Sequence, residues 1–350
     1  MRLRHLLPSV LAALTLPFAA PVTVVHAAAA AAPTITVDPT ELSRGEDASI
    51  PMIRNGRIVD GDRTLPLPAP NAVMVGRSGD GFVVWSSQDA RTPKVWRVDG
   101  DGSATMLLRS QEAYATVLAT EGDRLVVPKT RIKARETLLT VHDAMTGAVQ
   151  EQTTVPGFAS VLDVADGVGV VGSTNPARTW RWDLGTGLRE RLAKDAGYKA
   201  DLSTDRLAVF DADPFRGGCS VVSSLSDPSS RLSRSCTERV DEFSPDGRRM
   251  ALVDLLADGL GPNRVIVRSV SGRRLVTYDA PYYFGMVTWE RARTLLLQTH
   301  TTKRTALVRC VRTECERASK LGPAPDLRPS VTNRLMDPLA PWLARPATRS

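Results

Sequence analysis

Cys219, Cys236, Cys310 and Cys315 carry the best-defined chemistry in this 350-residue sequence. An even cysteine count favours disulfides wherever a chain meets an oxidising compartment. Cys219 and Cys236 bracket the turn Asp227-Pro228-Ser229-Ser230, and Cys310 and Cys315 bracket Val-Arg-Thr-Glu. Each pair is expected to bridge neighbouring strands of one hairpin, as Cys219–Cys236 and Cys310–Cys315. Catalytic chemistry is harder to find. Beyond residue 32 only His142 and His300 remain, and neither His-Glu-x-x-His nor Gly-x-Ser-x-Gly occurs. Carboxylates are abundant, yet no spacing singles out a pair, and none assigns a cofactor or metal ion. The cationic run Lys129, Arg131, Lys133 and Arg135, with Lys303 and Arg304 following His300, supplies the candidates for contact with a partner.

These residues sit in a chain of ordinary globular composition, with 42% hydrophobic and 24% charged residues. That excludes a disordered, collagen-like or polytopic membrane chain. Arg2, Arg4 and His5 precede an apolar run, Leu6 to Ala20, too short to span a bilayer, which takes about 20 residues. Small residues crowd Ala27–Ala32 behind it. Residues 1–32 are therefore expected to be a secretory signal peptide cut between Ala27 and Ala32. No cysteine follows the apolar run, so no lipoprotein anchor is expected. Removing this segment lowers the formal net charge from +7 to +5. So mild a charge, without a recognition motif, does not indicate nucleic acid.

Behind the signal the chain repeats. Short β-rich runs open at Gly81, Asp123, Gly167, Asp205, Arg248 and Arg293, a mean spacing of about 42 residues. Further strand-like runs flank each, separated by tight turns such as Asp143-Ala-Met-Thr-Gly147 and Asp183-Leu-Gly-Thr-Gly187, where Asp and Gly suit the turn backbone. Four short strands per 40–45 residues is the pattern of a β-propeller. Six units run from Asn71 to Ser319. Ile50–Val59 and Arg63–Leu67 read as the third and fourth strands of another. Its inner strands would come from Asp326–Met336, a composite closure that removes the open sheet edges. The expectation is an all-β propeller with seven four-stranded blades, six being the alternative. It spans residues 50–336, between a linker at 33–49 and a Pro-rich tail at 337–350.

Phe243-Ser-Pro-Asp-Gly-Arg-Arg-Met-Ala-Leu-Val253 resembles the blade motif of TolB-like and WD-type propellers, in which that turn joins the first and second strands. The two Asp-x-x-Thr-Gly turns are similar to the pyrroloquinoline-quinone-type propeller repeat. The blade-end tryptophan of the quinone enzymes is missing after Gly147 and Gly187, so cofactor binding does not carry over. The resemblance implies fold, not function.

In a propeller the second-to-third-strand connections share one face with the blade-to-blade links. Gln88–Lys94, Lys129–Glu136, Ser173–Arg178, Asp211–Arg216, Asp254–Arg264 and His300–Arg304 together carry +5, the whole charge of the exported chain. The expected function is that of an exported, monomeric, non-enzymatic propeller. Its loop face would bind a protein or an anionic cell-envelope polymer, with no nucleic acid and no membrane span. The alternative is a carboxylate-dependent hydrolase or lyase acting in the central funnel. N-terminal analysis of the native protein should find a start between Ala28 and Pro33.

Overall fold

A computed structural model describes residues 31–86 and 93–324. It shows seven sheets arranged as the seven blades of a propeller. Blades 1 to 6 follow the sequence repeats. Blade 1 runs through Ala72–Ser78, Gly81–Ser86, Lys94–Val98 and Ala104–Arg109 from the axis outward. Blade 2 comprises Val117–Leu118, Arg124–Arg131, Glu136–Asp143 and Val149–Pro156. Blades 3, 4 and 5 begin with inner strands Phe158–Ala165, Ala196–Asp201 and Glu238–Phe243. Blade 6 consists of Tyr283–Arg291, Thr294–His300, Arg304–Val311 and Glu314–Arg317. The second strands are nearly all buried, because each lies mid-sheet with a blade on either side, which is why they read as apolar runs.

Blade 7 corrects one expectation. Ile50–Val59 is not a single strand. Met52–Arg54 and Arg57–Asp60 pair across Asn55-Gly56, and Arg63–Pro66 follows. Asn55 and Gly56 have φ of 50° and 71°, the left-handed conformations that a two-residue hairpin turn requires. The innermost strand expected from Asp326–Met336 lies outside the described residues.

Seven apolar clusters hold the ring, one at each junction between consecutive blades. Ile58 and Leu65 of blade 7 pack on Phe82, Val84 and Val98 of blade 1. Trp182 and Leu184 of blade 3 pack on Val126 and Leu139 of blade 2. Polar devices recur with the repeat. The Thr137 hydroxyl donates to the Gly157 carbonyl at 2.9 Å and accepts from Ala159 N at 2.9 Å. Forty-two residues on, Thr179 does the same with Asp195 O and Gly197 N, at 2.8 and 2.9 Å. Each hydroxyl thus ties a third strand to the next blade's entry.

The 6–7 junction is different. Among the described residues its apolar cluster holds only Leu296, Leu307 and Ala318 as buried members, against Ala48, Ile50 and Met52. Beside it, Arg309 grips Glu290 through two hydrogen bonds of 2.6 and 2.9 Å. The same guanidinium reaches the carbonyls of Glu46 and Asp47, while Ser49 N donates to Glu290 at 2.6 Å. Residues 33–49, expected to be a linker, are thus a strap. Thr34–Thr36 adds a parallel fifth strand outside Arg274–Asp279 of blade 5, and Val37 is fully buried there. Arg44 bridges to Arg317 on the outer strand of blade 6.

Both expected disulfides are present. Cys219–Cys236 joins the third and outer strands of blade 4 with Cα atoms 4.1 Å apart, and Cys310–Cys315 sits in register in blade 6 at 4.2 Å. The first closes a 17-residue loop, worth about 3 kcal/mol on the chain-entropy account.

The clasp makes folding acid-sensitive in a defined window. Hydrogen bonds from Arg309 hold the Glu290 carboxyl down to about 2, against an ordinary 4.5. A carboxylate depressed by folding contributes fully above its unfolded pKa and loses that contribution as pH falls through the folded one. Urea unfolding should therefore show stability lost between pH 4.5 and 2, and Glu290→Gln should flatten that loss. Arg309→Ala should cost roughly 3–5 kcal/mol at neutral pH, since it leaves a buried carboxylate unpaired.

Candidate functional site

The loop face is built by strand ends. In blade 2 the second and third strands stay in register to Arg131 and Glu136. Lys129 and Arg131 therefore belong to a strand, and the loop proper is only residues 132–135. A single 3-10 turn, Ile132–Ala134, spans it, and Arg135 closes it in the left-handed region. Lys129, Arg131, Lys133 and Arg135 are all exposed. Arg131 pairs with Glu136 at 3.0 Å. In blade 6 the matching connection exposes Lys303 and Arg304.

His300 stands apart. It is the last residue of the second strand of blade 6, not a loop residue, and only 2% exposed. Its ring stacks on Tyr283 with centroids 4.3 Å apart. No hydrogen-bond partner reaches its Nδ1 among the described residues. The strand pairing of His300 with Tyr283 and Thr305 takes it out of the loop's reach.

Two further cations join the face, Arg57 at the Asn55-Gly56 hairpin of blade 7 and Lys320 just past the outer strand of blade 6. Both are exposed. Reading Ile50–Val59 as one strand concealed Arg57; the Asn-Gly dipeptide was the signal that marks it. Lys94 opens the third strand of blade 1, with Nζ 5.8 Å from the Trp96 ring centroid. Of the Gln88–Lys94 connection, residues 88–92 lie outside the described residues. The cations of blades 6, 7, 1 and 2 thus form an arc over four consecutive blades. Asp211, Asp213, Asp254 and Asp258 lie on the same face in blades 4 and 5.

The funnel carries a second cluster, which sequence spacing did not indicate. Inner strands of blades 3, 4 and 5 contribute Asp163, Lys199, Asp241 and Glu242, each next to a bulge. Lys199 Nζ donates to Glu242. Burial works against the lysine's charge, but Glu242, Asp241 and Asp163 hold its pKa above the ordinary value. Asp163 is the reverse case. Burial raises its carboxyl, although it accepts from Leu202 N at 2.6 Å and Val164 N at 2.9 Å. Glu242 is committed to Lys199, and Asp241 lies 3.8 Å from Arg239. Among the described residues no three His, Cys, Asp or Glu side chains are grouped to hold a metal ion. His142 is spoken for by the Gly147 carbonyl, 3.0 Å from Nδ1. Trp85, Trp182 and Trp289 are buried in the blade junctions.

No family model and no curated protein matches the sequence. Solved structures do match. The β-propeller domain of the Trilobed protease from Pyrococcus furiosus shares 12% identity over 75% of this chain and 86% of that one, with a TM-score of 0.55. The acylaminoacyl peptidase of Pyrococcus horikoshii shares 13% identity over 75% of this chain, with a TM-score of 0.55. TolB from Acinetobacter baumannii shares 15% over 62% of this chain and 57% of that one, at a TM-score of 0.44. What the first two share with this chain is the propeller fold. The chain spans about half (47%) of the Pyrococcus horikoshii peptidase.

His300 gives the fold a pH signature. Burial lowers its pKa below the ordinary 6.5. The unfolded chain takes up a proton that the folded chain refuses, so stability falls as pH drops below 6.5. Thermal melts at pH 7.5 and 5.0 should differ less for His300→Phe than for wild type.

Proposed function

We propose that this chain is an exported, non-enzymatic binding propeller whose loop face recognises a partner bearing acidic groups, an anionic cell-envelope polymer or an acidic protein surface. The observation that carries this reading is the arc of exposed cations on blades 6, 7, 1 and 2. Lys129, Lys133, Arg135, Lys303, Arg304, Arg57 and Lys320 stand on one face, and the described structure pairs none of them with a carboxylate. Concentrated charge of one sign raises the local potential and steers oppositely charged partners. A rigid ring presenting variable loops suits recognition. Export is supported by the apolar leader of residues 1–32 and by two disulfides, which persist in oxidising compartments.

A second reading, a carboxylate-dependent hydrolase or lyase, rests on Asp163, the funnel carboxyl whose pKa burial raises. It requires a turnover that Asp163→Asn removes while the fold persists.

The leading reading is tested with soluble polyphosphate as the probe. The variant Arg131→Glu, Lys133→Glu, Arg135→Glu should bind it at least about tenfold more weakly than wild type at low salt. Wild-type binding should itself fall steeply as salt shortens the screening length from about 30 Å at 0.01 M to 8 Å at 0.15 M. Equal binding by the triple variant and wild type would sink the electrostatic reading.

A further inference from the structure

We infer that the acidic partner is the surface of an anionic lipid bilayer, on which this face docks peripherally; the inference rests on the anionic-partner reading above. The observation behind it is apolar rather than charged. Ile132 sits at the apex of the most basic connection of the molecule and is 73% exposed. Its 3-10 turn holds it out between Arg131 and Lys133, with Lys129 and Arg135 just behind. The equivalent connection of blade 4 also holds out an apolar tip on a 3-10 turn, here following Asp211 and Asp213 rather than among cations. A second 3-10 turn, Pro214–Arg216, is capped by the Asp213 side chain accepting from Phe215 N at 3.1 Å. It buries Pro214 and presents Phe215, 45% exposed, beside Arg216, which pairs with Asp213 at 3.9 Å. Leu256, in the connection of blade 5, and Tyr282, in the link from blade 5 to blade 6, are exposed at the same end of the ring.

Single exposed apolar residues are common and need no explanation. The four here differ in position. Each is in a connection, where no strand alternation forces an apolar side chain outward, and all four belong to connections that emerge on one face. The other exposed apolar residues, such as Met106, Val149 and Leu188, lie on or beside outer strands and their turns.

The combination selects among anionic partners. A soluble polyanion satisfies cations and leaves Ile132 and Phe215 in water. A bilayer interface satisfies both, because anionic headgroups attract the lysines and arginines while the acyl boundary a few ångströms deeper accepts short apolar tips. Among the described residues no helix is long and apolar enough to cross a membrane, so the contact is interfacial. Four tips and a scattered set of cations make such docking reversible and salt-sensitive.

Protein recovered after export, wild type and variants, would be sedimented with vesicles of phosphatidylglycerol mixed with phosphatidylcholine, and with phosphatidylcholine alone. Wild type should co-sediment with the anionic vesicles at low salt and stay in solution with the neutral ones. The double variant Ile132→Ser, Phe215→Ser removes the apolar tips without changing charge and should partition about tenfold less onto anionic vesicles while holding its polyphosphate affinity within about twofold. Both substitutions are on exposed loops, and an unchanged thermal melt checks that the fold persists. The triple charge reversal should weaken both interactions. Wild type that binds polyphosphate but ignores anionic vesicles, or a double variant that binds vesicles like wild type, overturns the bilayer inference and leaves the anionic reading standing. Sedimentation without vesicles, abolished in the double variant, assigns the tips to a second copy and also overturns it. Wild type that binds neither probe removes the anionic reading itself.

Discussion

Everything in this molecule depends on closing the ring. A blade is a four-stranded sheet with two apolar faces, and it is stable only when a neighbour covers each. Six junctions meet that demand between consecutive repeats. The junction of blade 6 with blade 7 must join the two ends of the chain, and among the described residues it has the smallest apolar cluster of the seven. There the protein substitutes a buried ion pair. Glu290 and Arg309 bind each other and also the backbone of Glu46, Asp47 and Ser49, so the pair's remaining hydrogen-bonding capacity is used to hold the strap. Desolvating two charges is costly, and the strap's carbonyls and Ser49 N complete the hydrogen bonding that compensates for it. The strap's parallel strand at Thr34–Thr36 and the buried Val37 extend the same closure to blade 5.

Closure also sets the electrostatics. The turns opposite the loop face are rich in aspartate because aspartate builds them. Asp143 Oδ1 accepts from Met145 N, Thr146 N and the Thr146 hydroxyl, and Asp183 repeats most of this pattern 40 residues later. Hydrogen bonds from Thr146 hold the Asp143 carboxyl below its ordinary pKa, and those from Thr186 do the same for Asp183. These negative charges are spent on local geometry and lie on the turn face. The exposed cations of the arc other than Arg131 have no such pairing and stand on the other face. Bringing blade 7 between blades 6 and 1 then sets Arg57 between Lys303 and Lys129, and separate runs become one arc.

The funnel shows how local packing decides chemistry. Asp163 on the inner strand of blade 3 and Asp241 and Glu242 on that of blade 5 flank Lys199 on the inner strand of blade 4. Their environments differ. Glu242 is neutralised by Lys199, whereas Asp163 is buried against two backbone amides, and burial outweighs those hydrogen bonds. Nothing in the spacing of these residues announces either state, because bulges shift each inner strand by one position relative to its neighbour.

The sequence by itself determined what local chemistry and periodicity can determine. A 42-residue recurrence of apolar runs forces a circular array of equivalent sheets, and recurring Asp-Thr-Gly turns mark the hairpins within it. The hairpin positions of the cysteines favour both disulfides, since neighbouring strands bring Cβ atoms close enough. Asn55-Gly56 was equally local and would have disclosed the blade 7 hairpin. Tertiary structure alone decided the rest. A three-residue strand at Thr34–Thr36 has no period, and its partner lies some 240 residues away, so the strap looks like a linker until blade 5 is present to receive it. His300 reads as a loop histidine until Tyr283, from another strand, stacks on its ring. Which exposed side chains share a face is likewise a property of the closed ring, because only closure makes the first and last blades neighbours.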